Sequence, residues 1–121
     1  MKSGRFAAIP IAVALSLALG ACTTAAERSA SSNKVSDLMI KALNAESGDN
    51  PTLATKYFYD VLELEPQNKL AYFNLGVIAQ NQENYGAAEA NFRIALKIDP
   101  NFTLAQKNLA KVQELRSDSR R

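Results

Sequence analysis

Few side chains in this sequence are of the kinds that catalyse reactions or bind metals. It has one cysteine, Cys22, and no histidine in 121 residues, so the usual general base at neutral pH and a frequent metal ligand are missing. Carboxylates are paired at Glu63 with Glu65 and at Glu46 with Asp49, and glycoside cleavage uses such pairs. Both pairs fall on polar helix faces or turns, which is typical of solvated charges. We predict no catalytic residue, no metal site and no cofactor.

The balance of charges restricts the kinds of partner that the chain can bind. The chain has 14 lysines and arginines against 12 aspartates and glutamates. The excess comes from Lys2 and Arg5 alone, and the rest of the chain is neutral overall. Nucleic-acid binding needs clustered basic side chains, so we predict no nucleic-acid partner.

The chain begins with a basic and then apolar segment. Lys2 and Arg5 precede an apolar run from Phe6 to Leu19, which is shorter than the roughly twenty residues of a resident transmembrane helix. This order is typical of a secretory signal. Residues 1–21 are therefore predicted to be a signal peptide.

The end of this segment reads Leu19-Gly20-Ala21-Cys22, followed by Thr23. It resembles the lipobox of bacterial lipoproteins. The resemblance implies that Cys22 is the lipidation site, with the chain cut before it and acyl chains holding it in a membrane. Because Thr23 is not Asp, the resemblance favours the outer membrane, facing the periplasm, in a source with two membranes. Ordinary secretion with cleavage further along is the alternative.

The next segment is polar. From Thr23 to Lys34 the chain has no large apolar residue and no periodicity, so burial cannot offset the entropy of ordering it. We predict that residues 22–34 are the acylated cysteine and a flexible tether that holds a domain off the lipid surface.

The rest of the chain repeats itself at an offset of thirty-four residues. Residues 35–68 align with residues 69–102 without a gap. An apolar pattern that recurs at this period predicts stacked helix pairs with a continuous core. The identical pairs are Ala45 and Ala79, Asn50 and Asn84, Ala54 and Ala88, Phe58 and Phe92, Leu62 and Leu96, and Pro66 and Pro100.

The second copy carries a family pattern. Its residues are Tyr72, Leu75, Gly76 and Ala79 along one predicted helix, then Ala88, Phe92 and Ala95 along the next, with Pro100 closing the unit. The pattern resembles a tetratricopeptide repeat (TPR), which implies two antiparallel helices that approach closely. Gly76 and Ala88 are then expected at the crossing, with Tyr72 and Phe92 on either side.

The first copy is a degenerate repeat. It has Lys41-Ala42 where the resemblance expects Leu-Gly, although its apolar residues keep helical spacing. Gly48 is expected to end its first helix in a left-handed turn. Asn50 and Pro51 then supply an N-cap and a first helical residue.

A fifth helix is predicted over residues 103–116, with an apolar side for packing and a polar side that caps the stack. Residues 117–121 are expected to be a disordered tail. The predicted fold is therefore all-α: two TPR helix-turn-helix units, 35–68 and 69–102, and a C-terminal capping helix, which together form an α-solenoid fragment.

The resemblance also implies a concave groove lined by the first helix of each unit. Tyr72, Leu75 and Ala79 occupy the packing side. Phe73 and Val77 are therefore expected to be more exposed than these three residues. An apolar groove suits an amphipathic helix or an extended apolar peptide. The alternative is that the same residues close against one another. The candidate peptide-binding residues are Met39, Leu43, Leu70, Phe73, Val77, Gln80, Asn81 and Lys107, and Leu104 and Lys111 can extend them.

One known groove chemistry is excluded. Some co-chaperone repeats hold a terminal carboxylate with a Lys/Asn/Arg clamp, and Met39 and Leu43 stand where that clamp needs Lys and Asn. The function expected is that of a membrane-anchored scaffold or adaptor that binds another envelope protein or peptide. Small lipoproteins of this type resemble those that assist pilus or secretin assembly, outer-membrane protein insertion or cell-wall enzymes. The alternatives are a self-associating structural protein, which would be a homo-oligomer, and an accessory that positions an envelope enzyme.

Overall fold

The computed structural model of the chain describes the backbone of residues 8–121 and the side chains of residues 25–121. This part is helical and contains no strand, so the all-α prediction is confirmed. The chain divides into two compact units, Met1–Lys34 and Val35–Arg121, and the first helix extends through the boundary between them. The helices are α1 (Ala8–Ser47), α2 (Pro51–Leu64), α3 (Lys69–Asn81), α4 (Tyr85–Ile98) and α5 (Thr103–Asp118).

In the first unit the backbone is helical from Ala8 onward. The side chains of residues 25–34 are exposed, apart from the half-buried Ser31. The coil predicted for residues 22–34 is therefore wrong for the backbone. A helix that is already formed extends at low cost, because each added residue gains one hydrogen bond, and alanine favours that extension.

The N-terminal predictions fall largely outside the described part. Residues 1–7 and the side chain of Cys22 are not among the described groups, so the signal peptide and the lipidation stay predictions. Where the structure is described, no helix combines the length and apolarity needed to span a membrane.

The second unit has two apolar clusters that share α3. The equivalent residues Phe58 and Phe92 are fully buried, one in each cluster, as are Ala54 and Ala88. The internal repeat therefore predicted the core correctly. The first cluster is Val35, Leu38, Ala42, Ala54, Phe58, Val61, Ala71, Leu75 and Ile78, and the second is Ala79, Ala88, Phe92 and Val112.

Both helix pairs turn in the same way. The residues with positive φ are Asp49 (56°) and Glu83 (59°), which are thirty-four residues apart. The amide of the next residue, Asn50 or Asn84, donates back to the carbonyl of Ala45 or Ala79 at 2.9 Å, which is the long hydrogen bond of a Schellman motif. The left-handed turn predicted at Gly48 is therefore wrong by one residue.

The same two asparagines begin the second helix of each pair. Oδ1 of Asn50 accepts from the amide of Leu53 at 3.1 Å, and Oδ1 of Asn84 accepts from the amide of Ala87 at 3.3 Å. Each bond satisfies an amide that has no partner within its own helix. The cap predicted at Asn50 is confirmed.

The departure of the first repeat from the family pattern has a structural reason. Some residues of α3 pack on the first cluster, and the equivalent residues of α1 are polar and exposed. One of these residues, Lys41, forms an ion pair with another, Asp37, at 2.7 Å. Burying this pair against a further repeat would desolvate both charges. This side of α1 is therefore a polar end of the stack. The equivalent pairs are Asp37 and Ala71, Lys41 and Leu75, and Asn44 and Ile78.

An ion-pair network connects the last helix to α4. Glu89 is almost fully buried. Its carboxylate accepts from Arg116 of α5 at 2.5 Å and forms an ion pair with Arg93 of α4 at 2.6 Å. The hydrogen bond from Arg116 is the main cause that lowers the pKa of Glu89. Helix α5 ends at Asp118 and not at residue 116, so two residues of the predicted disordered tail are helical. Oγ of Ser117 donates to the carbonyl of Glu114 at 2.7 Å in this last turn.

Candidate peptide-binding groove

The first helices of the successive units present equivalent residues on one side. In α1, α3 and α5 these residues are spaced i, i+3 and i+7, so each triad lies along one face of its helix. We call the three triads together the groove face. Its residues are Ser36, Met39 and Leu43 of α1, Leu70, Phe73 and Val77 of α3, and Leu104, Lys107 and Lys111 of α5.

Leucines are the exposed apolar residues of the groove face. Leu43 is 44% exposed, Leu70 is 46% exposed and Leu104 is 57% exposed. One of them stands on each of the three helices. Single exposed leucines are ordinary on a protein surface, but a set grouped on one face is typical of a binding site.

Phe73 and Val77 form the floor of the groove and not its exposed rim. Both are half-buried and pack against the second cluster. The ring of Phe73 lies 5.7 Å from that of Phe92 and 5.1 Å from that of Phe102, measured between centroids. Leu75 and Ala79 of the packing side are buried, so the prediction that Phe73 and Val77 are more exposed than these two residues is confirmed. Phe73 is nevertheless partly covered.

The reason lies in Phe102. Oδ1 of Asn68 caps α3 by accepting from the amide of Ala71 at 3.0 Å, whereas Phe102, at the equivalent position before α5, makes no side-chain cap. Its ring packs on Phe73 instead. Sequence reasoning missed Phe102, and the replacement of a cap asparagine by an aromatic residue was the available signal.

The remaining predicted groove residues differ in how far they are buried. Met39 is half-buried against the first cluster, and Gln80 is half-buried. Asn81 and Lys107 are exposed. The structure therefore places an apolar floor and an exposed rim on one face, and it assigns Leu43 and Leu70 to the rim.

A cavity of about 430 Å³ opens beside Leu70, at the turns that join the repeats. It was not foreseen from the sequence. Lys69 forms an ion pair with Asp99 there, and its Nζ lies 5.2 Å from the centre of the Phe102 ring. The hydrogen bond from Lys69, together with the amide of Asn101, lowers the pKa of Asp99. The lining residues are Glu65, Gln67, Asn68, Lys69, Leu70, Ile98 and Asp99.

The carboxylates considered as catalytic pairs lie at the surface. Glu63 and Asp49 are exposed and Glu46 is half-buried, while Glu65 accepts from Nδ2 of Asn68 at 2.7 Å. Among the residues that the structure describes, no three Asp, Glu, Cys or His side chains come close enough to hold a metal ion. The geometry of the groove face suits the binding of a polypeptide.

These features define an all-α repeat protein, a fragment of an α-solenoid. Residues 70–102 match the tetratricopeptide repeat family, so this part of the chain is a repeat of the tetratricopeptide type. A mutant O-GlcNAc transferase of Thermobaculum terrenum has a similar fold, with a TM-score of 0.65 and 26% identity. That similarity covers 68% of this chain and 16% of the transferase.

Two relatives show the same partial likeness in sequence. A protein O-mannosyl-transferase of Caenorhabditis elegans is 32% identical over 65 residues, which are 54% of this chain and 9% of the relative. The protein O-mannosyl-transferase Tmtc3 of Drosophila melanogaster is 40% identical over 52 residues, which are 43% of this chain and 6% of the relative. The chain thus spans only a small part of each relative, and the likeness lies in their repeats. Such repeats mediate protein–protein interactions.

Proposed function

We propose that this protein is a lipid-anchored adaptor of the bacterial cell envelope that binds another polypeptide on its groove face. The observation that carries the binding part is the set of three exposed leucines on the groove face, Leu43, Leu70 and Leu104, together with its half-buried floor of Phe73 and Val77. Burial of the exposed half of one leucine stabilises a complex by about 1 kcal/mol. A partner segment that covers all three must itself be apolar on one side.

The anchoring part rests on the sequence. Cys22 follows Leu19-Gly20-Ala21 at the end of the apolar segment, and two or more acyl chains on such a residue hold a protein stably in a membrane. The outer membrane, with the repeats in the periplasm, is the proposed location. Pilus or secretin assembly, outer-membrane protein insertion and cell-wall synthesis are processes in which such an adaptor would act.

The polar end of the stack argues against end-to-end self-association. A second copy packed on α1 would bury the Asp37–Lys41 ion pair, whose side chains are now more than half exposed, and desolvation would outweigh the gain. The groove face, with its three exposed leucines, is the surface that we propose for a partner. Measuring the mass of the protein at several concentrations would detect self-association through that face.

Charge substitution at the rim tests the groove. We expect Leu43→Glu together with Leu70→Glu to reduce crosslinking of the partner at least about tenfold, since a carboxylate would be desolvated at each contact. The crosslinks are formed in cells from a photoreactive residue at the exposed position Asn81 and read by mass spectrometry. Phe73 and Val77 are unsuitable for this test because a glutamate there would disturb the core.

Leu53→Glu is the matched control. Leu53 is 37% exposed and lies on α2, a second helix, and not on the groove face. It should leave every crosslink unchanged. Equal crosslinking by the groove variant and the parent protein would refute the proposed binding face.

Replacement of Cys22 tests the anchor. We expect Cys22→Ser to move most of the protein from the membrane fraction to the soluble fraction and to abolish incorporation of labelled fatty acid, because serine offers no thiol for the diacylglyceryl group. The control is Thr23→Ser, which keeps the thiol. Membrane retention and fatty-acid labelling of Cys22→Ser would contradict acylation at this residue.

The relatives support a second candidate. They are named as transferases, and the part of each that matches this chain is small. Repeats of this kind thus accompany an enzyme within one chain, which favours an accessory that positions a separate envelope enzyme. The crosslinking experiment distinguishes the two, since the captured protein would then be an enzyme whose activity falls when the groove is substituted.

A further inference from the structure

The second helices of the two repeats form a surface that is separate from the groove face. A cavity of about 140 Å³ between them is lined by Tyr59 of α2 and Asn91 of α4, so these two helices are neighbours. We call their common solvent side the outer face. Its residues are Tyr59, Asp60 and Glu63 of α2 and, at the equivalent positions, Arg93, Ile94 and Lys97 of α4.

The outer face changes the sign of its charge from one repeat to the next. It carries the acidic Asp60 and Glu63 on α2 and the basic Arg93 and Lys97 on α4. Asp60 and Arg93 each form an ion pair within their own helix, and 62% of the Arg93 side chain is still exposed. Among the described residues, neither Glu63 nor Lys97 forms an ion pair. These two charges can therefore pair with another chain.

Two exposed apolar side chains accompany the charges. Tyr59 is 55% exposed and Ile94 is 38% exposed. Tyr59 lies on the side of α2 that faces α4, and Ile94 lines a second cavity, of about 330 Å³, together with Pro66 from the turn after α2. Successive residues of a helix point about 100° apart. Asp60 and Arg93 therefore lie on the sides of their helices that face away from the cleft between α2 and α4.

We infer that the outer face binds a second copy of this chain, with α2 of each copy packed against α4 of the other. The two helices occupy equivalent places in successive repeats and run in the same direction. A two-fold axis between them and parallel to them therefore brings equivalent residues opposite one another. Glu63 of each copy then meets Lys97 of the other, so the ion pair forms twice.

The same axis also matches the flanking side chains. Tyr59 of one copy meets Ile94 of the other near the axis, because both lie on the side of the cleft. Asp60 meets Arg93 further out, because both lie on the opposite side. A two-fold axis across the helices would instead place α2 on α2 and bring carboxylates together, which the like charges disfavour.

The size of the outer face indicates a weak dimer. Each helix has 14 residues, so it is about 21 Å long and about 10 Å wide. Two such helices cover about 400 Å² in each copy, and a total near 800 Å² is typical of transient complexes. The copies should separate on dilution, whereas the proposed anchor at Cys22 would hold them close together in one membrane.

The arrangement is compatible with an adaptor that is anchored in a membrane. Because the axis is parallel to the helices, Val35 of both copies lies at the same end of the dimer, as two chains anchored in one membrane require. The groove face belongs to α1, α3 and α5 and stays uncovered in both copies. The dimer would thus present two groove faces, and a partner with two binding segments would be held more tightly than by one copy.

Photocrosslinking of the full chain in cells tests this dimer. The photoreactive residue replaces Ala90, which is exposed on α4 and equivalent to Lys56 of α2. We expect a product of twice the monomer mass, in which mass spectrometry finds Ala90 joined to a peptide of α2. E63K places two lysines against each other at both contacts, and K97E places two glutamates there. Each substitution should lower this product about tenfold.

Coexpression of the two variants separates a contact between copies from a change within one copy. A chain with E63K is basic at both positions and a chain with K97E is acidic at both, so a mixed dimer has opposite charges at both contacts. With tags of different size, the mixed product should return while each variant alone stays low. The matched controls are E114K on α5 and R120E beyond it, two exposed positions, and they should leave the product unchanged.

The absence of a doubled product from Ala90 overturns the inference, and so does a product with a different protein. Unchanged crosslinking of E63K and K97E also overturns it. Loss of the doubled product in the variant with Leu43→Glu and Leu70→Glu would show that the copies associate through the groove face instead. Retention of the doubled product in that variant supports the outer face. Failure of the groove crosslinking test alone would refute the proposed function and leave the dimer standing.

Discussion

Phe92→Ala is expected to lower the free energy of unfolding by about 3–5 kcal/mol, the range for a fully buried phenylalanine. The ring has no exposed surface, belongs to the second cluster and contacts Phe73 at 5.7 Å between centroids. Its loss leaves a cavity between α3 and α4 that small neighbours such as Ala79 and Ala88 cannot fill. Since a domain of this size is stable by only about 5–15 kcal/mol, a large part of that stability disappears.

Urea unfolding of the full chain, followed by circular dichroism, measures the change. Ile94→Ala is the control on the same helix; Ile94 is 38% exposed, so we expect a loss of about 1 kcal/mol or less. A loss below about 1 kcal/mol for Phe92→Ala would mean that the ring does not fill the core between α3 and α4. Phe92→Ala should also weaken peptide binding by the groove face, because Phe73 packs on the ring of Phe92.

The core could be predicted from the sequence because the same core residues occur in both copies of the repeat. Phe58 and Phe92 occur at equivalent positions with the same alanine four residues earlier, and all four residues are fully buried. Two copies of one pattern identify side chains that serve the same contact. Such agreement does not depend on the details of any turn or end.

How deeply the groove residues lie could not be predicted in this way. The depth of Phe73 depends on Phe102, which directly precedes α5 and takes the place of the cap residue Asn68. The resemblance to the family assigns a face to each position, but it does not say how far a neighbouring unit covers that face. Leu43 and Leu70 stay exposed because no such neighbour covers them.

The other differences between prediction and structure concern Lys41, the turn after α1 and the segment before Val35. Lys41 departs from the family pattern in the first repeat. The end of the stack needs a polar residue at this position, and the ion pair of Lys41 with Asp37 keeps that surface in water. The left-handed residue is Asp49 and not Gly48, and Glu83 takes the same conformation at the equivalent position of the second repeat. The polar segment before Val35 is helical because it continues an existing helix, which its composition alone does not indicate.

Gly76→Ala is expected to destabilise the protein by about 1–2 kcal/mol, although alanine is the better helix former. A Cβ atom at Gly76 would lie 2.6, 2.8 and 3.0 Å from Cε1, Cδ1 and Cζ of Phe92. The ring is fully buried and cannot move freely, so overpacking costs about 1–3 kcal/mol, and helix propensity returns at most about 1 kcal/mol of it. This contact places Phe92 at the close approach of α3 and α4.

Gly86→Ala is the matched control with the opposite sign. Gly86 lies in the first turn of α4, and a Cβ atom there would have nothing within 4 Å, so we expect stabilisation by about 0.5 kcal/mol. The double variant of Gly76→Ala with Phe92→Ala isolates the cause, because without the ring the new methyl group should be neutral or stabilising. A coupling energy above about 1 kcal/mol in that cycle is expected. Strict additivity of the two changes would show that the need for glycine at this position arises from something other than the ring of Phe92.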